Sequence, residues 1–306
     1  MKLSFLIAVH NEEKILAKSL RNLVNLPYED YEIILGLDGC TDGSENIVKD
    51  FQRKYKNIKY SKLNLRQGKP EVIDHIVKLA GGDILIVNDA DWIFKVRNKK
   101  ELEDFISVFK NPKIGGIAES FPLEWDREKV KKGNLGYKMI AYSGYFWFKY
   151  QREKFTSRGD GLIYLKKPTM FLTNIYRREL YKKNFSLGDD FERTKNIMDK
   201  GYKVVVFSNE NIPRMIAVYN EVSLGDLFKQ KLRTAVARDQ LKWEQEISIK
   251  DYYLPVVWDI FIKSWKKSIK VGLIVSLWIV ITLVGTVLSK FKKIDTREGW
   301  KLRMKR

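Results

Sequence analysis

The sequence predicts an α/β fold around a mostly parallel sheet, extended at its carboxyl end by a helical, apolar segment. Two patterns predict the sheet. Short, almost uninterrupted apolar runs alternate with longer amphipathic ones from Leu3 to about Ile117, as expected of strands buried on both faces and joined by right-handed helical crossovers. The runs end in polar loops, where open α/β sheets hold their ligands. A third pattern is Val271–Ser289, 19 residues without a charge between Lys270 and Lys290, long enough to cross a bilayer core. The expected division is a sheet domain over residues 1–245, then 246–306 with an interfacial helix, a transmembrane helix over 271–289 and a basic tail.

Taken in order, Leu3–Val9 reads as the first buried strand. It is too short for a signal peptide and lacks small cleavage-site residues, so the amino-terminal domain is expected in the cytosol. His10-Asn11-Glu12-Glu13 follows it and opens a helix over Glu12–Leu26. A second strand, Glu32–Leu37, ends in Asp38-Gly39-Cys40-Thr41-Asp42-Gly43-Ser44. Asp42 suits a helix cap, and Asp38 allows two readings, a turn residue or an acceptor for a nucleotide base or ribose. A helix over Ser44–Tyr55 leads to a strand over Ile58–Ser61. Beyond it, Arg66-Gln67-Gly68-Lys69-Pro70 places two bases and a glycine at the start of a helix over Pro70–Ala80, with proline in its first turn. Phosphate recognition fits that arrangement.

The next strand, Asp83–Asn88, ends in Asp89-Ala90-Asp91. Residues i and i+2 of an extended chain point the same way, so the two carboxylates repel unless a cation lies between them. Mg²⁺ or Mn²⁺ shared with nucleotide phosphates would answer that; a solvated strand end is the plainer alternative. A helix over Lys99–Lys110 and a strand over Ile114–Ala118 complete the alternation. From Glu119 to Lys154 the chain is rich in aromatics, Trp125, Tyr137, Tyr142, Tyr145, Phe146, Trp147, Phe148 and Tyr150 among them. Helix packing explains such a stretch, as does an aromatic wall for a sugar or lipid acceptor. Interleaved bases also suit single-stranded nucleic acid, but no nucleic-acid module accompanies them and no nucleic-acid partner is expected.

Composition narrows the chemistry. The 306 residues carry 57 basic and 38 acidic side chains, a net charge of +19, which asks for phosphorylated or anionic-lipid partners. Cys40 is the only cysteine, and His10 and His75 are the only histidines. Disulfide frameworks and cysteine-based metal sites are thereby excluded, and carboxylates must carry most acid–base work. A further strand, Met170–Tyr176, precedes Leu187-Gly188-Asp189-Asp190-Phe191, which opens a helix to about Lys200. Helix capping explains one of the two acids. Gly201 then stops that helix before a strand through Val206, and a helix is expected from about Ser223 to Trp243.

Together, Asn11-Glu12-Glu13, Asp38-Gly39-Cys40-Thr41-Asp42-Gly43, Gly68-Lys69 and Asp89-Ala90-Asp91 resemble, in order and spacing, family 2 glycosyltransferases over roughly residues 1–240. The resemblance implies the GT-A fold, a nucleotide-sugar-binding sandwich. It implies donor contacts from Asn11, Glu12, Asp38, Lys69, Asp89 and Asp91, with Asp89 and Asp91 at the metal. Where many members have two adjacent acids at the second strand, Leu37 fills the first position. The family's Glu-Asp pair matches Asp189 and Asp190, making Asp190 the catalytic base, with Asp189 standing where Glu is commoner. Membrane-associated synthases of hyaluronan, chitin, cellulose and poly-N-acetylglucosamine carry Gln-x-x-Arg-Trp; Gln230 and Arg233 match it on the acceptor and diphosphate side, and Thr234 replaces the tryptophan. Addition of one sugar is therefore expected rather than processive polymerisation. Trp92-Ile93 follows the Asp-x-Asp in place of the Leu-Gln of dolichyl-phosphate mannose synthases, which favours a hydroxyl acceptor over a polyprenyl phosphate.

Before the uncharged stretch, Leu254, Val257, Trp258, Phe261 and Trp265 share one helical face, as an interfacial helix would. A buried soluble helix is the alternative to a crossing at Val271–Ser289. Residues 290–306 carry eight basic and two acidic side chains, suited to anionic membrane lipid. The expected protein is a membrane-anchored glycosyltransferase with a cytosolic catalytic domain. Its donor is a UDP-sugar, its acceptor a lipid-linked glycan and its cofactor Mg²⁺ or Mn²⁺. Alternatives are a processive synthase, a polyprenyl-phosphate transferase, or a non-catalytic protein binding nucleic acid or anionic lipid.

Overall fold

The computed structural model describes residues 1–119, 127–169, 171–207, 214–217, 221–241 and 253–291. Trp125, Met170, the boundary at 245 and the tail beyond 291 lie outside the described residues. In chain order the elements are β1 (Leu3–Val9), α1 (Leu16–Val24), β2 (Tyr31–Asp38), α2 (Ser44–Lys54), β3 (Ile58–Leu63) and α3 (Lys69–Val77). Next come β4 (Ile84–Val87), β5 (Trp92–Lys95), α4 (Lys99–Ser107), β6 (Ile114–Glu119), α5 (Arg127–Lys132) and α6 (Leu135–Phe155). Then follow β7 (Thr156–Gly159), β8 (Leu162–Leu165), β9 (Leu172–Arg177), α7 (Asp189–Asp199) and β10 (Lys203–Phe207). The chain closes with β11 (Arg214–Ala217), α8 (Leu224–Gln240), α9 (Leu254–Lys267) and α10 (Ile269–Ser289).

Two compact units form. The first gathers Met1–Leu123, Ser157–Phe185 and Asp189–Val218; the second gathers Glu124–Thr156, Ser186–Gly188 and Tyr219–Arg306. This spatial division differs from one drawn near residue 245, because α6 and α8 pack with α9 and α10.

In the first unit the main sheet runs β3-β2-β1-β4-β9-β6-β10-β8-β7. Strands β1 to β4 are parallel neighbours; β1, β2 and β4 are buried along nearly their whole length, as their apolar sequences require, while β3 at the sheet edge carries Lys59 and Lys62. Strand β9 enters antiparallel between β4 and β6, and β10 returns parallel to β6, so the sheet is mixed. Residues Leu3, Phe5, Leu6 and Ile7 of β1 and Ile84, Leu85 and Ile86 of β4 are fully buried. The carboxyl end of β4 is thus the middle of the sheet and is braced on both sides. Past it, β5 leaves the sheet to pair with β11.

The second unit is helical. Phe146 and Tyr150 of α6, Val256 and Ile260 of α9, and Val271 and Val275 of α10 form one buried cluster, with Tyr142, Trp147 and Phe155 against it. The aromatic stretch is therefore mainly a packing surface. Asn134, Ser223 and Ser268 cap α6, α8 and α10 by accepting a first-turn N–H. Helix α10 is long and apolar enough to cross a membrane, the one such helix among the described residues.

Candidate active site

Three loops at the carboxyl ends of parallel strands are laced together. After β1, Asn11 takes a left-handed backbone, φ 54°, and its Oδ1 accepts the Thr41 N–H at 2.8 Å. Glu12 donates its N–H to Ser44 Oγ at 2.8 Å. Glu13 and Asp42 complete the lacing, each accepting a backbone N–H from the other loop. At the end of β2, Asp38 is buried; its two carboxylate oxygens accept the N–H groups of Gln67 at 2.6 Å and Gly68 at 2.9 Å. Gly68 sits at φ 94°, a conformation costly for residues with a Cβ. That conformation fixes the entry to α3 and with it the position of Lys69.

Lys69 reaches the acids at the sheet centre. Its ammonium lies 2.9 Å from Asp89 Oδ1 and 3.0 Å from Asp189 Oδ2. Burial opposes the ammonium charge, but Asp189 and Asp89 outweigh it and raise the lysine's pKa. Asp91 is fully buried, whereas the Asp89 side chain is 31% exposed. The turn holding them is closed by the Trp92 N–H and the Asn88 side-chain amide, both donating to Asp89 O at 2.9 Å.

The acidic pair opens α7. Asp189 accepts from Arg193, one helical turn on, at 2.8 Å. Arg193 is 4% exposed and also donates to Thr173 O and Asn174 Oδ1 of β9, with its guanidinium 5.4 Å from the Tyr176 ring. Burial works against the Asp189 charge, yet Lys69 and Arg193 hold its carboxyl below the usual range. Asp190 goes the other way: burial and the Asp189 charge push its pKa up to about 6. Adjacent carboxylates driven apart in this way are a pattern of acid–base sites.

The structure thus brings together Lys69, Asp89 and Asp189 by direct contact, with Asp91 two residues beyond Asp89 and Asp190 next to Asp189 in the chain. Asn11, Glu12 and Asp38 form the scaffold behind them. Gln230 and Arg233 lie on α8 of the second unit, where Thr234 Oγ1 donates back to Gln230 O. Arg193 escaped the sequence reading, although its place four residues after Asp189 is the spacing of a helical ion pair.

Among the described residues, no three His, Cys, Asp or Glu side chains are arranged to hold a metal by themselves. A hard ion bound with a diphosphate needs only one or two carboxylates, and the all-oxygen donors of Asp89 and Asp91 fit that demand.

Residues 4–185 match the family described as Glycosyl transferase family 2. The chain is 24% identical over 302 residues to the dolichyl N-acetyl-alpha-D-glucosaminyl phosphate 3-beta-D-2,3-diacetamido-2,3-dideoxy-beta-D-glucuronosyltransferase of Methanococcus voltae, covering 93% of this chain and 86% of that one. It is 24% identical over 253 residues to the GalNAc(5)-diNAcBac-PP-undecaprenol beta-1,3-glucosyltransferase of Campylobacter jejuni, covering 79% and 78% of the two chains. Among solved structures it resembles a mannosyltransferase from Pyrobaculum calidifontis in complex with GDP-Man and Mn2+. That likeness has a TM-score of 0.57 at 15% identity and covers 95% of this chain and 84% of that one.

Proposed function

The chain belongs to glycosyl transferase family 2 and has the GT-A fold, and from that premise we propose an inverting transfer from a UDP-sugar to a hydroxyl of a lipid-linked glycan. The observation that carries the chemistry is geometric: Lys69 joins Asp89 to Asp189 at 2.9 and 3.0 Å, Arg193 also holds Asp189, and Asp190 stands beside it at the opening of α7. This arrangement lowers the Asp189 pKa and raises that of Asp190. A carboxyl titrating near 6 is mostly ionised at neutral pH, yet basic enough to take a proton in the transition state. Asp190 accepts the acceptor's hydroxyl proton as that oxygen bonds to the anomeric carbon; the bond from that carbon to the diphosphate breaks, and the diphosphate leaves with the electron pair.

Asp89 and Asp91 would hold Mg²⁺ or Mn²⁺, which when bound offsets charge on the diphosphate. Lys69 supplies a second, permanent cation at the same place. Both relatives described above carry names with lipid-linked substrates, which supports the acceptor class and membrane attachment; a cytosolic catalytic unit is part of the same proposal. Gln230 and Arg233 are retained from the motif as acceptor and diphosphate residues.

The test is a panel of nucleotide sugars offered to detergent-purified protein with Mn²⁺, with Mg²⁺ and with chelator. Metal-dependent release of nucleoside diphosphate from one donor is the expected result. Turnover unaffected by chelator would overturn the Asp89–Asp91 assignment, and no turnover with any donor or acceptor glycolipid would overturn the reading.

A further inference from the structure

We propose that the second unit docks on the surface of an anionic bilayer through one apolar face of α9 and α10, with α10 lying along that surface rather than crossing it. The two sides of α10 differ sharply. On one, Leu273, Leu277, Val280, Val284 and Val287 recur every three or four residues and are 40–58% exposed, the spacing of a single helical stripe. Trp265 of α9 flanks this stripe, its indole N–H donating to Ser276 Oγ at 3.3 Å. Farther along α9, Trp258 is 64% exposed and stacks on Phe261.

The opposite side of α10 is covered by its own unit: Val271 and Val275 pack into the apolar cluster with α6 and α9, and polar and charged groups of α8 cover it from Trp278 onward. The Lys231 ammonium lies 4.5 Å from the Trp278 ring centre. Arg238 donates to Thr286 at 2.8 Å, and Ser289 donates to Asp239 at 3.4 Å. Helix α8 therefore accompanies the carboxyl half of α10 and carries Asp226, Lys229, Lys231, Arg233, Arg238 and Asp239. A crossing α10 would draw these charged side chains towards hydrocarbon, where each is costly. Lying flat, α10 buries its stripe in the acyl boundary and leaves α8 on the aqueous side.

Charge complementarity names the occupant. Exposed Lys266, Lys267 and Lys270 stand at one end of the stripe and exposed Lys290 at the other, and the sequence after Lys290 adds seven basic side chains against two acids. Lysine stems lie along an apolar surface while their heads meet lipid phosphates.

Two measurements decide it. In a Cys40→Ser background, Lys270→Cys and Lys290→Cys are labelled with an impermeant maleimide in sealed membrane vesicles of each orientation. Both ends labelled in the same orientation is the expected result; labelling in opposite orientations means a crossing and overturns the proposal. Purified full-length protein is also sedimented with phosphatidylcholine vesicles, with and without phosphatidylglycerol. Binding should require the anionic lipid and fall at least about tenfold in Leu277→Lys, with donor hydrolysis and melting temperature unchanged. Failure of the wild type to bind, with elution as a dimer, would assign the stripe to a second copy instead.

Discussion

Asp38 and Asp89 stand at equivalent places, each closing a parallel strand of one sheet, yet they are held in opposite ways. Asp38 is buried and its oxygens are taken by two backbone N–H groups. Asp89 is a third exposed and faces a lysine side chain that also serves Asp189. Backbone amides cannot leave without refolding the loop, so the β2 end is scaffold. A lysine on four rotatable bonds can yield to a metal or a diphosphate, so the β4 end is exchangeable. Identical chemistry at two strand ends is thus divided between a carboxylate locked by backbone amides and one held by a side chain that can move away, the one the proposed function uses.

The strongest way to break that contrast is at Asp190. Asp190→Asn should lower the transfer rate about 10²–10⁴-fold while donor binding persists, as measured by turnover and calorimetry. Stability should move the other way. The pKa of Asp190 is raised to about 6, above its unfolded value, so its contribution is fully present below the unfolded pKa and lost as pH rises through 6. At pH 7 its ionised form burdens the folded state, and Asp190→Asn should melt higher than wild type there, with the gap closing towards pH 4. Loss of both activity and stability would make Asp190 a structural cap instead.

Arg193→Met comes next. It removes the buried cation that ties Asp189 to β9 and leaves the Thr173 and Asn174 acceptors uncompensated. Breaking one partner of a buried pair costs about 3–5 kcal/mol, read from the urea midpoint. An unchanged midpoint would show that Lys69 alone suffices to hold Asp189.

Why Arg193 escaped a reading that found Asp189 and Asp190 is instructive. Apolar runs and the loops after them identified the strands of the parallel half and the Asp-x-Asp, because buried parallel strands demand continuous hydrophobicity. The i,i+4 spacing to Asp189 was local, but what buries Arg193 is its contact with β9, an antiparallel strand inserted between β4 and β6, and strand order is not written in local pattern. Asp38 was visible as a residue, but its acceptance of the Gln67 and Gly68 N–H groups joins loops 29 and 30 residues apart. Helix α10 was legible in length and composition. That α8 covers one side of it was not, and the cost of taking charge to a bilayer centre, about 2.5–3.5 kcal/mol per side chain, arises only from that packing.

Asp38→Asn tests the scaffold half of the comparison. The amide keeps one acceptor and turns its NH₂ towards a backbone N–H, losing one charge-assisted bond worth about 1.5–3 kcal/mol. The melting temperature should fall and the donor KM rise a few-fold, with kcat largely retained because the acids at β4 are untouched. A collapse of kcat with an unchanged donor KM would place Asp38 in the chemistry.

Lys69→Met addresses the exchangeable half and should be the subtlest in its pH signature. Wild-type kcat should rise with pH through about 6 as Asp190 loses its proton. Lys69 is one of the cations that hold that value down, and it holds Asp189 down more strongly. Without it, Asp189 keeps its proton to higher pH, and Asp190 loses a cation while gaining a less charged neighbour. The two changes oppose each other at Asp190, so the acid limb should move by less than about one unit, or 1.4 kcal/mol, while the donor KM rises through loss of the cation beside Asp89. A limb that shifts upward by two units or more would mean that Lys69, rather than Asp189, sets the base, and the yielding lysine would then be part of the fixed machinery.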